Sequence, residues 1–231
     1  MDEMIDCPSP NFDDRDQAVS IVVLHYTGME DAASAIARLR DPEARVSCHY
    51  LIAEDGQVLR MVPEEKRAWH AGQSYWRGIQ SLNASSIGIE IVNPGHEFGY
   101  RPFTAQQMNA LVPLLAGIVE RHQVPPANIV GHSDIAPARK QDPGELFDWA
   151  LLARHRLAVA RPTRGLIDPL WTDGGFLLAL ERYGYDVRDS LAAIVAFQRR
   201  FRPELIDGEI DGECRAILLQ LLLDRERGHT A

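Results

Sequence analysis

Residues 18–27 read AVSIVVLHYT, and this stretch decides the fold class. It is an apolar, β-branched run of the length of a buried strand, and it ends at His25. Outward from it, helix and strand patterns alternate. Residues 31–40 carry Ala33, Ile36, Ala37 and Leu39 at helical spacing. Residues 46–62 read as a hairpin, VSCHYLIA then QVLRMV, around the turn Glu54-Asp55-Gly56. Residues 85–93, SSIGIEIVN, form a further strand. Thr104-Ala-Gln-Gln107 is a capping box that opens a long helix reaching about His122, with Pro113 expected to kink it or to end its first half. NIVGH, residues 128–132, is a short strand leading into a polar loop, and helical sequence resumes over 147–160. The order is that of an α/β fold.

Beyond residue 160 the pattern changes. Arg161-Pro-Thr-Arg-Gly165 reads as a linker, and residues 174–184, 189–201 and 213–225 read as three short helices. Leu177, Leu180, Leu191, Ile194, Phe197, Phe201, Ile217 and Leu221 supply their apolar positions. The expected organisation is a catalytic domain over 1–160, a linker over 161–173 and a helical domain over 174–231.

Composition narrows the function. Of 231 residues, 45% are hydrophobic and 25% charged, the ordinary globular balance. The net charge of −9 argues against a nucleic-acid partner, whose affinity comes from neutralising phosphates. The apolar run 111–119 is too short to cross the ~30 Å of a bilayer core, so no membrane span is expected. The N-terminus, MDEMIDCP, lacks an apolar signal-peptide region, which predicts a cytoplasmic protein, or a periplasmic one if a leader has been trimmed. Cys7, Cys48 and Cys214 are odd in number and scattered, which predicts reduced thiols.

The chemistry-bearing residues are few. His25 and His132 end strands, where loops meet on a rigid scaffold. Glu90 interrupts the apolar strand Ile87-Gly-Ile-Glu-Ile91, and Lys140 and Asp142 follow His132 in GHSDIAPARKQDPG, residues 131–144. Two imidazoles and a carboxylate can bind Zn²⁺ tetrahedrally and leave one position for water. Zinc lowers the pKa of that water towards ~7, Glu90 could take its proton, and Lys140 could stabilise a developing oxyanion. By spacing alone His25 and His132 read more readily as packed, hydrogen-bonded core histidines than as ligands, and Glu90 reads as well as the solvent-facing side chain of an edge strand.

LHYT at 24–27, RAWHAG at 67–72, SIGIEIVN at 86–93 and GHSDIAPARKQDPG at 131–144, in that order and spacing, resemble the zinc-dependent N-acetylmuramoyl-L-alanine amidases. That superfamily is shared with peptidoglycan recognition proteins and phage amidase lysozymes, and the bacterial muropeptide-cleaving branch matches best, over about residues 5–155. The resemblance implies a central mixed β-sheet with helices on both faces. It implies one zinc ion per chain on His25, His132 and Asp142, with Glu90 and Lys140 catalytic and His49, Trp69 and His70 beside the substrate. The implied reaction is hydrolysis of the amide between N-acetylmuramic acid, or its anhydro form, and L-Ala of the stem peptide. The implied partners are muropeptides or peptidoglycan fragments, met by a monomer. The alternatives are a protein that binds such fragments without cleaving them, and a purely structural zinc closed by Cys48.

The C-terminal helices resemble the peptidoglycan-binding domain through Leu191…Phe197-Gln-Arg-Arg-Phe201 and Asp207-Gly208…Arg215-Ala216. Asp211 stands where that pattern has a glycine and Cys214 where it has a threonine, so this part is expected either to hold glycan or to brace the catalytic domain. His155 and His229, without motif support, are expected at the surface. Among the basic residues only Lys66 and Lys140 are lysines and 22 are arginines. A compact ammonium and a planar guanidinium are not interchangeable beside an oxyanion, so Lys140 is expected not to tolerate arginine.

Overall fold

The computed structural model describes residues 4–228; His229 lies outside them. The strands are β1 (Ile5–Asp6), β2 (Phe12–Asp14), β3 (Ile21–Tyr26), β4 (Tyr50–Ile52), β5 (Val58–Arg60), β6 (Lys66–Ala68), β7 (Tyr75–Trp76), β8 (Ile79–Gln80), β9 (Ser86–Ile91) and β10 (Ile129–Gly131). The helices are α1 (Ala32–Arg40), α2 (Gly95–Phe98), α3 (Ala105–His122), α4 (His132–Ile135), α5 (Trp149–Arg154), α6 (Asp173–Tyr183), α7 (Ser190–Phe201) and α8 (Gly212–Glu226). Six strands form a mixed sheet in the order β1-β5-β4-β9-β3-β10, in which only the β4–β5 hairpin is antiparallel.

Alternation along the strands sorts side chains between the two faces. Val22 and Leu24 of β3 join Ile87, Ile89 and Ile91 of β9 on one face, under Met108, Leu111, Leu115 and Ile118 of α3. Leu111, Leu115 and Ile118 are fully buried, and each such side chain contributes about 1.5–3 kcal/mol. Ile21 and Val23 point the other way, into a core built with Phe176, Leu180, Phe197 and Ile217 from the C-terminal helices. On that same second face, Ala35 and Leu39 of α1 cover Leu51 and Leu59. His25 continues the Ile21–Val23 row, and Glu90 continues the Ser86–Gly88 row beside it, in register with His25. Both therefore emerge on the second face at the carboxyl ends of parallel strands.

Several expectations need correcting. The edge-strand reading of Glu90 fails, because β9 is hydrogen-bonded to β4 on one side and β3 on the other. Helix α3 is not ended by Pro113 and runs 18 residues through it. Pro113 and Asn109 are both exposed, so water can take up the carbonyl that the missing N–H leaves free. The expected helix over 147–160 shrinks to the six residues of α5. Arg156 turns left-handed at φ 59°, and Leu157, Ala158 and Val159 then enter the core as non-helical chain. Leu191 is 60% exposed rather than packed.

The segment after residue 160 is pinned. Arg161 pairs with Glu204 and Glu213, and Asp168 with Arg215. In the α7–α8 connection the motif residues turn inward. The Gln198 amide donates to Asp207 and to the Glu209 carbonyl, and its oxygen accepts the Gly208 N–H. Arg202 pairs with Asp207 and Asp211, while Asp211 also caps α8 through the Cys214 N–H. These polar groups hold the helices together. His155 is exposed, and Lys66 pairs with Asp14 at the surface. No helix among the described residues is long and apolar enough to cross a membrane.

Candidate metal centre

Three donor atoms from two strand ends and one loop converge. His25 Nδ1 lies 3.0 Å from His132 Nδ1 and 2.9 Å from Asp142 Oδ2, and His132 Nδ1 lies 3.1 Å from that same oxygen. Ligands on tetrahedral zinc, at ~2.0–2.1 Å from the metal, stand about 3.3 Å apart, so the triad needs only a slight spreading to take an ion. All three side chains are buried. Burial lowers the His25 imidazole to about 4, helped by the neighbouring His132 ring, so it is neutral at pH 7. Burial alone would raise Asp142, but protons and positive charge contributed by the His132 and His25 rings beside it hold the carboxyl far below its ordinary range when no cation is there, a part that a bound cation would take over. A neutral ring beside an ionised carboxylate is the protonation state that a divalent cation requires.

The residues behind the triad orient it. His132 Nε2 lies 3.1 Å from the Ala71 carbonyl, which can only accept, so the ring carries its proton on Nε2 and turns a bare Nδ1 inward. His25 Nε2 meets His70 Nδ1 at 3.1 Å. Consecutive residues of RAWHAG therefore set both ligand rings, one with a side chain and one with a backbone carbonyl. Asn83 fixes that dipeptide, its Oδ1 accepting the N–H groups of His70 at 3.1 Å and Ala71 at 2.7 Å. At Gly88, inside β9, a Cβ would lie 2.4 Å from the His70 ring, so the strand has no side chain where that imidazole sits. On the other ligand's side, Asp134 Oδ2 accepts the Gly131 N–H at 2.8 Å, tightening the turn that begins α4 at His132.

A cavity of about 490 Å³ opens over the triad, lined by Met29, Ala35 and Arg38 near α1, by Trp69 and His70, and by Glu90, Arg139 and Lys140. Glu90 Oε2 is buried and has no hydrogen-bond partner among the described residues. Burial pushes the Glu90 carboxyl well above the usual carboxylate range, with Asp142 adding to the effect and Lys140 opposing it. A carboxyl placed so is suited to carrying a proton at neutral pH. Arg139 closes one wall by donating to the Ala71 and Gln73 carbonyls.

The structure thus brings His25, Glu90, His132, Lys140 and Asp142 to one cavity, with Trp69 and His70 on its wall. Trp69 is held by its indole N–H, which donates to Asp13 at 2.6 Å. His70 touches a ligand histidine from behind, which its motif alone did not reveal. His49 does not line the cavity. It is fully buried, its Nδ1 accepts the Gly88 N–H at 2.9 Å, and its Nε2 meets Arg15 and the Lys66 carbonyl. Burial, with the Arg15 guanidinium beside it, lowers that ring to about 3. Cys48 does not close the triad either, since its thiol lies against Met61 in the core. No fourth protein ligand joins the three among the described residues, so a bound ion keeps a position open. Arg15, Asn83 and Ala71 were missed, because backbone-directed polar contacts leave no periodicity to read.

The fold and this cavity fit a hydrolytic enzyme built on a candidate metal triad. The family described as N-acetylmuramoyl-L-alanine amidase (Amidase_2) matches residues 15–145. N-acetylmuramoyl-L-alanine amidase AmiD of Escherichia coli is 39% identical over 88% of this chain and 82% of its own length. A solved complex of AmiD with anhydro-N-acetylmuramic acid-L-Ala-D-γ-Glu-L-Lys superposes with a TM-score of 0.81, covering 89% of each chain at 38% identity. AmpDh3 of Pseudomonas aeruginosa, solved with an anhydromuramic pentapeptide, gives a TM-score of 0.82 over 91% of this chain and 93% of its own at 34% identity. This chain belongs to the N-acetylmuramoyl-L-alanine amidase family and is an amide hydrolase of peptidoglycan fragments.

Proposed function

We propose that the chain holds one zinc ion on His25, His132 and Asp142 and hydrolyses the amide between the lactyl group of N-acetylmuramic acid and L-Ala of the stem peptide. Muropeptides in the 1,6-anhydro form are among its substrates. The observation that carries this reading is the Glu90 carboxyl on the cavity wall beside the triad, whose Oε2 is buried and has no hydrogen-bond partner among the described residues. A protein that only held muropeptides would bear the cost of burying that group and gain nothing from it. The inclusion of anhydro substrates draws on the ligands named for AmiD and AmpDh3, both of which cover nearly all of this chain.

When bound, zinc supplies Lewis acidity, polarising the carbonyl and bringing the pKa of its water down to ~7. Glu90 takes the proton of the attacking water and returns it to the departing amine nitrogen of L-Ala. Lys140, on the same wall, offsets the charge gathering on the carbonyl oxygen. His70 and the Ala71 carbonyl keep the two ligand rings aimed, so little is lost to reorganisation. Trp69 and Arg139 bound the space that the sugar and peptide enter.

The test is incubation of the zinc-loaded protein with paired anhydro and reducing-end muropeptides, with products read by mass spectrometry. Release of free stem peptide and intact sugar is expected from the anhydro substrate. Cleavage elsewhere in the molecule, or binding without release, would overturn the reading.

A further inference from the structure

We infer that Ser86, acting through His70, fixes the tautomer of the ligand histidine His25 before metal arrives, making both Ser86 and His70 positioning residues of the metal centre. The inference rests on the metal reading given above and adds Ser86, to which no role has been assigned, together with the proton order that it imposes on His70.

The argument is a count of protons along a chain of contacts. Ser86 is fully buried at the start of β9, and its hydroxyl donates to the Leu82 carbonyl at 2.6 Å. A carbonyl oxygen has no proton, so the single hydroxyl proton is committed to it. The second contact of Ser86 Oγ is His70 Nε2 at 3.2 Å. With the hydroxyl proton spent, the ring must donate there, so His70 carries its proton on Nε2. A neutral imidazole has one N–H, which leaves His70 Nδ1 as an acceptor. That atom faces His25 Nε2 at 3.1 Å, so His25 donates, holds its own proton on Nε2, and turns a bare Nδ1 towards His132 and Asp142.

The far side of the triad obeys the same logic through a different acceptor. The Ala71 carbonyl requires the proton of His132 on Nε2. Two imidazole lone pairs and a carboxylate oxygen then converge within 3.1 Å with no proton assigned between them, an arrangement that a cation satisfies and water does not. Were His70 free to carry its proton on Nδ1, His25 would be driven to the Nδ1–H form and its ligand atom would be blocked. Gly88 supports the device by leaving the strand bare beneath the His70 ring, and the His70–Ser86 contact spans the same patch of β9.

The experiment reads tautomers and zinc affinity separately. In the ¹⁵N-labelled, chelator-treated full chain, long-range ¹H–¹⁵N correlations of the His70 ring are expected to give the Nε2–H form alone; an Nδ1–H form would overturn the inference. Ser86→Ala is expected to give mixed His70 tautomers and about tenfold weaker zinc binding by competition with a chromophoric chelator. His70→Leu, which removes the acceptor, is expected to lose about a hundredfold. His70→Asn puts a carbonyl oxygen near the former Nδ1 position and is expected to recover most of that loss. A merely structural role would lower thermal stability in all three variants without changing the tautomer ratio or separating Asn from Leu. Should the wild-type chain bind no zinc, the metal reading fails, while the tautomer measurement still decides the direction of the relay.

Discussion

The phenolic hydroxyl of Tyr185 donates to Asp134 Oδ1 at 2.6 Å, while Oδ2 of the same buried carboxylate accepts the Gly131 N–H. Gly131 immediately precedes the ligand His132, and Tyr185 follows α6 in the C-terminal third of the chain. One carboxylate therefore joins the C-terminal helices to the metal-binding turn. Tyr185→Phe leaves Asp134 Oδ1 buried without its donor, and the expected loss is about 1–3 kcal/mol of stability, read from urea unfolding of the full chain. Zinc affinity should fall with it. An unchanged midpoint would mean that Asp134 finds another partner and that the link carries no strain from one part to the other.

Metal and proton chemistry separate by mutation. His132→Ala is expected to abolish both bound zinc, measured by elemental analysis, and turnover. Glu90→Gln is expected to keep a full complement of zinc and to lose about 10²–10⁴-fold in kcat. Retention of zinc by the first variant, or near-normal kcat in the second, would remove the residue from its assigned place.

The buried titratable groups pull stability in opposite directions with pH, and the zinc-free protein should show both. The folded values of His25 (about 4) and His49 (about 3) lie below the ordinary histidine value of 6.5, so in that window the unfolded chain binds more protons. Stability must fall as pH is lowered through it, by about 1.4 kcal/mol per pH unit for each ring. The folded value of Glu90 lies above the ordinary 4.5, so the folded state keeps its proton longer, and stability falls as pH rises past 4.5. Glu90→Gln should leave the acid limb intact and make the chelated protein more stable than wild type at pH 7.5. Denaturant titrations of both proteins from pH 4 to 8 measure this, and coincident curves would show that the Glu90 carboxyl is not desolvated.

The sheet and its reactive residues were legible because their signals are local. The run at 18–27 marks a buried strand whatever surrounds it, and the capping box at Thr104 and Gln107 closes as its spacing requires. The GHSDIAPARKQDPG motif led to three residues that the fold brings together, His132, Lys140 and Asp142, since a strand end and the loop after it cannot lie far apart. What stayed hidden depends on distant partners. Nothing near His49 in sequence says that Arg15 and Gly88 will take both its ring nitrogens. His70 could not be assigned a place behind His25 until the sheet had put residues 45 positions apart in contact. The early end of α5 was invisible for the same reason, because Leu157, Ala158 and Val159 serve cores that helical periodicity does not describe.

Lys140 is one of two lysines, and the other, Lys66, is spent on a surface pair with Asp14. Lys140→Arg keeps the charge but spreads it over a planar fork that reaches differently into the cavity. About 10²-fold lower kcat is expected with KM little changed, in line with losing one aimed donor at an oxyanion. Wild-type kcat in this variant would show that charge alone suffices at the position.

One hydrophobic cluster runs without a seam from Ile21 and Val23 of β3, through Trp76 and Leu82, to Phe176, Phe197 and Ile217 of the C-terminal helices. The helices are thus the floor on which half of the sheet rests. A chain shortened after residue 165 would expose that floor to water, and such a lineage could not shed the helices as a cassette without first replacing the apolar residues beneath them. Shuffling of this region would have to proceed by gradual repacking, and calorimetry of the intact chain should record a single cooperative melting event.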